Sequence, residues 1–260
     1  MAFSKHTMKM ILTIGLMDLK RLFVSPLAWI SLALMLFILA WIFLLGIDEY
    51  ITQVKPMSAN LDDPPGISAL LLSALYSWAG MIMLAIMPLF TMRQLAEERV
   101  NQTLVLLKSA PLSNTQIVLG KYLSSLIFIV IFMVLIALMP LSLVFATALD
   151  WGQFFAANFG LFLLLASFAA AGLFLSSLTR QAMSAAVLTF GLLLFLLILY
   201  ISGSSQNSSS YLFVYLSHYS HFLSFQSGLF DTGDIAYYCL FIISFIILTI
   251  RKLDNERLRG

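Results

Sequence analysis

Residues 27–47 read LAWISLALMLFILAWIFLLGI, a run without one charged side chain. At the rise of an α-helix such a run covers the roughly 30 Å hydrocarbon core of a bilayer. In that medium the backbone must satisfy its own hydrogen bonds, which leaves helices and closed barrels. The run shows no alternation of period two, so a barrel strand is excluded and a spanning helix remains.

The same pattern recurs at Ile67–Met92, Ile117–Leu149, Gln153–Leu178, Ala182–Ser202 and Ile235–Ile250. With Leu27–Ile47 this predicts an all-α, polytopic membrane protein of six transmembrane helices. The last run is short for a full crossing, so it is expected to borrow residues from the preceding segment or to sit in a thinned bilayer. Pro88 and Pro140 fall inside the second and third runs, where a missing amide donor kinks a helix or ends it early. Composition agrees: 61% of the chain is hydrophobic and 10% charged, whereas soluble proteins are about half apolar and a quarter charged. Between the runs no soluble domain fits, so residues 1–260 are read as one transmembrane domain. The N-terminus lacks the compact apolar core and cleavage site of a removable signal, which leaves the first span as the targeting signal.

Charge tests this layout independently of hydrophobicity. Thirteen of the fourteen basic residues, among them Lys5, Arg21, Arg93, Lys121, Arg180 and Arg251, fall on one side of a six-span arrangement, and Lys55 alone falls opposite. The positive-inside rule then puts both termini in the cytoplasm, with the chain in the cell inner (cytoplasmic) membrane. The net charge of +2 is scattered at the ends of runs, which gives nucleic acid no stripe to bind.

Residues 2–23 are amphipathic: Met8, Leu12, Leu16, Leu19 and Phe23 recur at helical spacing while Lys5, Lys9, Thr13 and Lys20 fall elsewhere. An interfacial helix on the membrane surface fits this pattern, and so does a cytosolic extension of the first span. On the outer side, residues 203–233 carry no Lys or Arg and turn aromatic through Tyr211, Phe213, Tyr215, Tyr219, Phe222, Phe225 and Phe230. This suits an interfacial or re-entrant helix at the membrane boundary, with a folded external loop as the alternative.

Chemistry is sparse. Ionisable residues occur only at the ends of the apolar runs, which argues against a self-sufficient ion-coupled pump. Gly120-Lys121 is followed by Tyr122 and lacks the upstream glycine of a phosphate-binding loop, so the chain holds no ATP site of its own. No G-x-S-x-G or H-E-x-x-H motif occurs, and no catalytic residue is assigned. The single Cys239 excludes an intrachain disulfide and a cysteine-based metal site. His218 and His221 would share a helical face, but local spacing fixes no third ligand, so ordinary interfacial histidines are favoured over metal binding.

The connection over residues 93–113, RQLAEERVNQTLVLLKSAPLS, is the most informative polar segment. Charges come first, then the apolar patch of Leu104, Val105, Leu106 and Leu107, then Pro111 as a stop and Ser113 or Asn114 as a cap. That patch is too short to span and too large to leave in water, which calls for a protein partner. A capped helix that merely joins two spans is the plainer alternative.

Glu97-Glu98, Thr103-Leu104, Leu106-Leu107, Pro111-Leu112-Ser113 and Ile117-Val118-Leu119-Gly120-Lys121 resemble the cytosolic signature of type-2 ABC exporter permeases, over nearly the whole chain. Phe225 to Asp234 with Tyr237-Tyr238 looks most like the gliding-motility permease subfamily. The resemblance implies that residues 93–113 form a coupling region docked on a separate ABC ATPase. Glu97, Glu98 and Arg99 would be rim contacts, Thr103 part of the motif, and Leu104 and Leu107 the apolar anchors. It further implies two ATPase subunits carrying ATP and Mg²⁺, and a second permease subunit, identical or related, in the membrane lipid. An extracytoplasmic accessory protein would join if the chain were instead a non-transporting scaffold that transmits force. The family commonly has glycine before the Thr-Leu pair, where this chain has Gln102, so a helix can continue where relatives break. A passive channel is disfavoured, since no ring of polar residues lines the spans.

Overall fold

The computed structural model describes residues 2–57, 66–100, 112–145, 147, 149–203 and 211–259. Helix α1 covers Ala2–Val24 and α2 Pro26–Glu49, the latter running on through a π-helical turn at Tyr50–Val54 and a last turn at Lys55–Met57. The others are α3 Ile67–Thr91, α4 Ala96–Val100, α5 Asn114–Ser142, α6 Trp151–Leu178, α7 Ala182–Gly203, α8 Tyr211–Leu216, α9 His218–Gln226 and α10 Thr232–Arg259. No strand occurs among the described residues. Six helices are long and apolar enough to cross a membrane, and the protein is a multi-pass membrane protein.

Two expected boundaries need correction. The sixth span does borrow from the preceding segment, starting at Thr232, but it also continues past Ile250 into the charged tail, so that α10 runs for 28 residues. The third span does not stay helical to Leu149, since α5 ends at Ser142 and only a single tight turn, Leu143–Phe145, follows. Pro140 leaves its position in α5 without an amide donor and precedes this end by two residues. Pro88 likewise lies inside α3 near its end.

Local chemistry fixes the other boundaries. The α1–α2 break falls at Ser25 before Pro26, and the Trp29 indole N–H donates to the Phe23 carbonyl at 2.7 Å, meeting an acceptor at the end of α1. Ser113 caps α5 in a reciprocal box with Gln116. Asp150 caps α6 by accepting from the Gln153 amide at 3.1 Å.

Helix α6 is the central pillar. Of its most apolar window 78% is buried, against 17–50% in the other five spans. Its sequence explains this: Ala156, Ala157, Gly160, Ala166, Ala169, Ala170, Ala171 and Gly172 give it a slim profile, and α3, α5, α7, α9 and α10 all pack on it. A methyl group on Gly172 would overlap the Thr91 side chain of α3, and one on Gly160 would sit 2.5 Å from Phe225 Cβ of α9. By contrast α2 is peripheral, and its Trp29, Phe37, Trp41 and Leu44 point outward to lipid.

These approaches set a prediction. Gly160→Ala forces α9 off α6 and lowers the thermal midpoint in detergent, at an overpacking cost of about 1–3 kcal/mol. Gly191→Ala, where a new methyl meets nothing within 4 Å, leaves the midpoint unchanged or raised.

Candidate functional site

The capping box fixes where α5 begins, and two turns later it presents Lys121 to the interior, where the residue is 1% exposed. A lysine at such a position needs counter-charge within hydrogen-bond reach. Glu98 of α4 supplies it at 2.6 Å and Asp18 of α1 at 3.0 Å. Asp18 is the one acidic residue within α1.

The turn that leads into α4 is fastened by other side chains. Ser176 of α6 donates to the Met92 carbonyl at 3.0 Å and its Oγ accepts the amides of Leu95 and Ala96 at 3.2 and 3.0 Å. Gln94 donates through its side-chain amide to Ser125 of α5. Arg99 makes a forked contact to Glu256 of α10 at 2.9 and 3.0 Å and also donates to the Ser177 carbonyl. Asn114 donates to Asp254 at 2.6 Å, joining α5 to α10 as well. Arg21 and Glu97 approach to 3.4 Å with both side chains more than a third exposed, a contact of little energetic weight. Residues 92–99 are thus tied to α1, α5, α6 and α10 at once.

Glu97, Glu98 and Arg99 do fall together, but facing differently from the rim that the sequence suggested. Glu98 and Arg99 turn inward to Lys121 and Glu256, and Glu97 has the most accessible side chain of the three, about a third of it exposed. Thr103, Leu104 and Leu107 lie outside the described residues, as does most of the 93–113 connection. Sequence reasoning passed over Asp18, Lys121, Ser176 and Glu256. Lys121 enters the sequence reading as a boundary charge, in the failed phosphate-loop match and in the family signature, never as a buried group, yet a lysine within an apolar stretch and a lone acid among the lysines of α1 are signals available for pairing.

A second polar cluster lies toward the other end of the spans. Helix α9 runs antiparallel to α6, from His218 beside Phe168 to Gln226, whose carbonyl accepts from Gln153 at 2.8 Å. His221 places Nδ1 2.5 Å from the Asp234 carboxylate and Nε2 2.8 Å from the Tyr215 carbonyl. Both neighbours are acceptors, so full satisfaction requires both ring nitrogens to carry protons. His218 meets Tyr237 Oη through Nδ1 at 2.9 Å, and Tyr238 donates to the His218 carbonyl at 2.6 Å. Burial pushes the His218 imidazole down to about 3, with the neighbouring His221 adding to the shift, so at neutral pH the ring is uncharged. Both histidines, expected at an interface, are therefore core residues. No group of three or more metal-ligating side chains occurs among the described residues.

Residues 48–251 match the family model described as ABC-2 family transporter protein. The chain belongs to the ABC-2 transporter family. That match covers all of α3 to α9, with Glu98, Arg99, Lys121 and Ser176 of the first cluster and the histidine cluster, and it makes the chain an ABC transporter permease component, a membrane transport subunit. A search of curated proteins finds no match.

For the permease the Lys121 cluster sets a stability test. Lys121→Met strands the buried Glu98 and the partly buried Asp18 and costs about 3–5 kcal/mol, read as a lower unfolding midpoint in detergent. Adding Glu98→Gln to that variant restores part of the loss, because one buried charge is removed together with its partner.

Proposed function

We propose that this chain is the membrane-spanning subunit of an exporter driven by ATP hydrolysis on separate ABC ATPase subunits. Two permease subunits, identical or related, pair with two ATPases, which carry the ATP and Mg²⁺. The ATPase docks on residues 93–113, with Leu104 and Leu107 as apolar anchors and Thr103 and Glu97 beside them. In this reading Glu98 and Arg99 form the root of the docking element instead of its rim. Residues 2–23 lie along the cytoplasmic surface of the inner membrane, both termini face the ATPase, and α8 with α9 re-enters the membrane from the outside.

One observation supports the reading: the root of the 93–113 connection is fastened to three other helices through Lys121, Ser176 and Glu256. A push on the connection is then passed to the bundle as a movement of packed helices rather than absorbed in a loose loop. Closure of the ATPases supplies the differential affinity that shifts the bundle between states, which no group in the spans supplies by itself.

The Leu104→Asp, Leu107→Asp double variant inserts in the membrane as the parent does but no longer co-purifies with its ATPase. Retention of the ATPase would refute the docking site. The likeness to gliding-motility permeases supports a second reading, a scaffold that passes force to an extracytoplasmic machine. Reconstituted with its ATPase in proteoliposomes, an exporter moves cargo as it hydrolyses ATP, whereas a scaffold hydrolyses without transport.

A further inference from the structure

Between α1, α2, α3 and α5 lies a cavity of about 180 Å³, several times the roughly 30 Å³ that one water occupies in the liquid. One wall is polar, with Asp18, Arg21, Arg93, Glu97 and Lys121, and the other is apolar, with Leu22, Ala28, Leu89 and Phe90. Lys121 is held by Asp18 and Glu98, whereas Arg21 has only its weak, solvent-exposed contact with Glu97.

Arg93 is different. It is half-buried in the cavity wall and has no hydrogen-bond or ion-pair partner among the described residues. The neighbouring undescribed residues 101–111 include no Asp or Glu to pair with it as an ion. Asp62 and Asp63 precede the far end of α3, a helix of 25 residues, which sets them about 37 Å of helical rise away. A half-buried guanidinium with no ion-pair partner among the described residues offers its charge to an anion from outside the chain.

The position says which kind of anion. Arg93 follows the end of apolar α3 by two residues, and Arg21 stands just before the apolar α2, so both lie where the chain passes from lipid to water. Val24, Trp29 and Leu89 beside the cavity present exposed apolar surface. A ligand fitting these walls has a phosphate for the cations and hydrocarbon for the apolar side.

We propose that this cavity binds the phosphate of an anionic phospholipid, with Arg93 as its principal partner and Arg21 as the second. The lipid would then bridge α1 to the root of the 93–113 connection. The site stands on the cavity and its charges alone and does not require the ATPase to dock there.

The test uses the purified full-length chain in mild detergent, titrated with phosphatidylglycerol, with diacylglycerol of the same acyl chains, or with inorganic phosphate. Bound lipid is counted by native mass spectrometry and thermal midpoints are followed in parallel. Phosphatidylglycerol binds and raises the midpoint, while the other two do not. Arg93→Gln weakens phosphatidylglycerol binding about tenfold, the loss of one charge-assisted contact. Arg93→Lys keeps most of the binding, and Arg180→Gln, at an exposed arginine outside the cavity, changes nothing. Equal binding by Arg93→Gln, or equal stabilisation by diacylglycerol, overturns the proposal. A shift produced by inorganic phosphate alone makes this a soluble-anion site and overturns the lipid assignment.

Discussion

The half of this permease that holds Lys121 is organised by the requirement that a buried ammonium be paired. Lys121 is placed in the interior by the register of α5, and a lone charge there would cost several kcal/mol in lost hydration. Neither carboxylate that meets it comes from its own helix: Asp18 belongs to α1 and Glu98 to α4. The three elements must therefore assemble together or not at all. An apolar contact at the same place would tolerate sliding, whereas a hydrogen-bonded triad fixes one register.

The neighbouring residue makes that triad sterically accessible. Gly120 and Gly15 face each other where α5 and α1 cross, and a methyl group on Gly120 would come within 2.8 Å of the Ile14 side chain. Without side chains at those two positions the helices approach to backbone contact, which brings Asp18 within reach of Lys121. Glycine and lysine thus act in sequence along one turn, the first admitting α1 and the second holding it. Read only as an incomplete phosphate-binding motif, the pair hides its structural meaning.

What was legible in the chain follows the same division. Hydrophobic runs of helical length announced the six spans because lipid leaves the backbone few alternatives, and the Ser113 cap was visible because its chemistry is local. The true length of α10 was hidden, since a helix continues into water without any apolar signal once its neighbours hold it. The contacts of Glu98, Arg99 and His221 were hidden for a different reason. Their partners Lys121, Glu256 and Asp234 stand 23, 157 and 13 residues away, and a pattern read along the chain carries no record of such pairings. Small residues in α6 could be counted, but that they make it the pillar depends on which helices come to rest on it.

The two polar clusters also share their supports. Helix α10 carries Asp234, bound to His221, at one end and Glu256, bound to Arg99, at the other. Helix α6 carries Gln153, bound to the carbonyl of Gln226, near its start and Ser176, bound to the turn before α4, near its close. Between these ends most of the packing is apolar, and apolar surfaces permit small sliding at little cost. The polar ends do not, because each shift there breaks a bond in a place that water reaches poorly. The 22 positions between Asp234 and Glu256 make α10 a rod of about 33 Å. As long as that rod stays straight, a displacement of residues 92–99 that preserves the Arg99–Glu256 contact must also displace the hairpin of α8 and α9. A single continuous helix, gripped by charge at each extremity and by hydrocarbon in its middle, is what connects the two faces of the molecule.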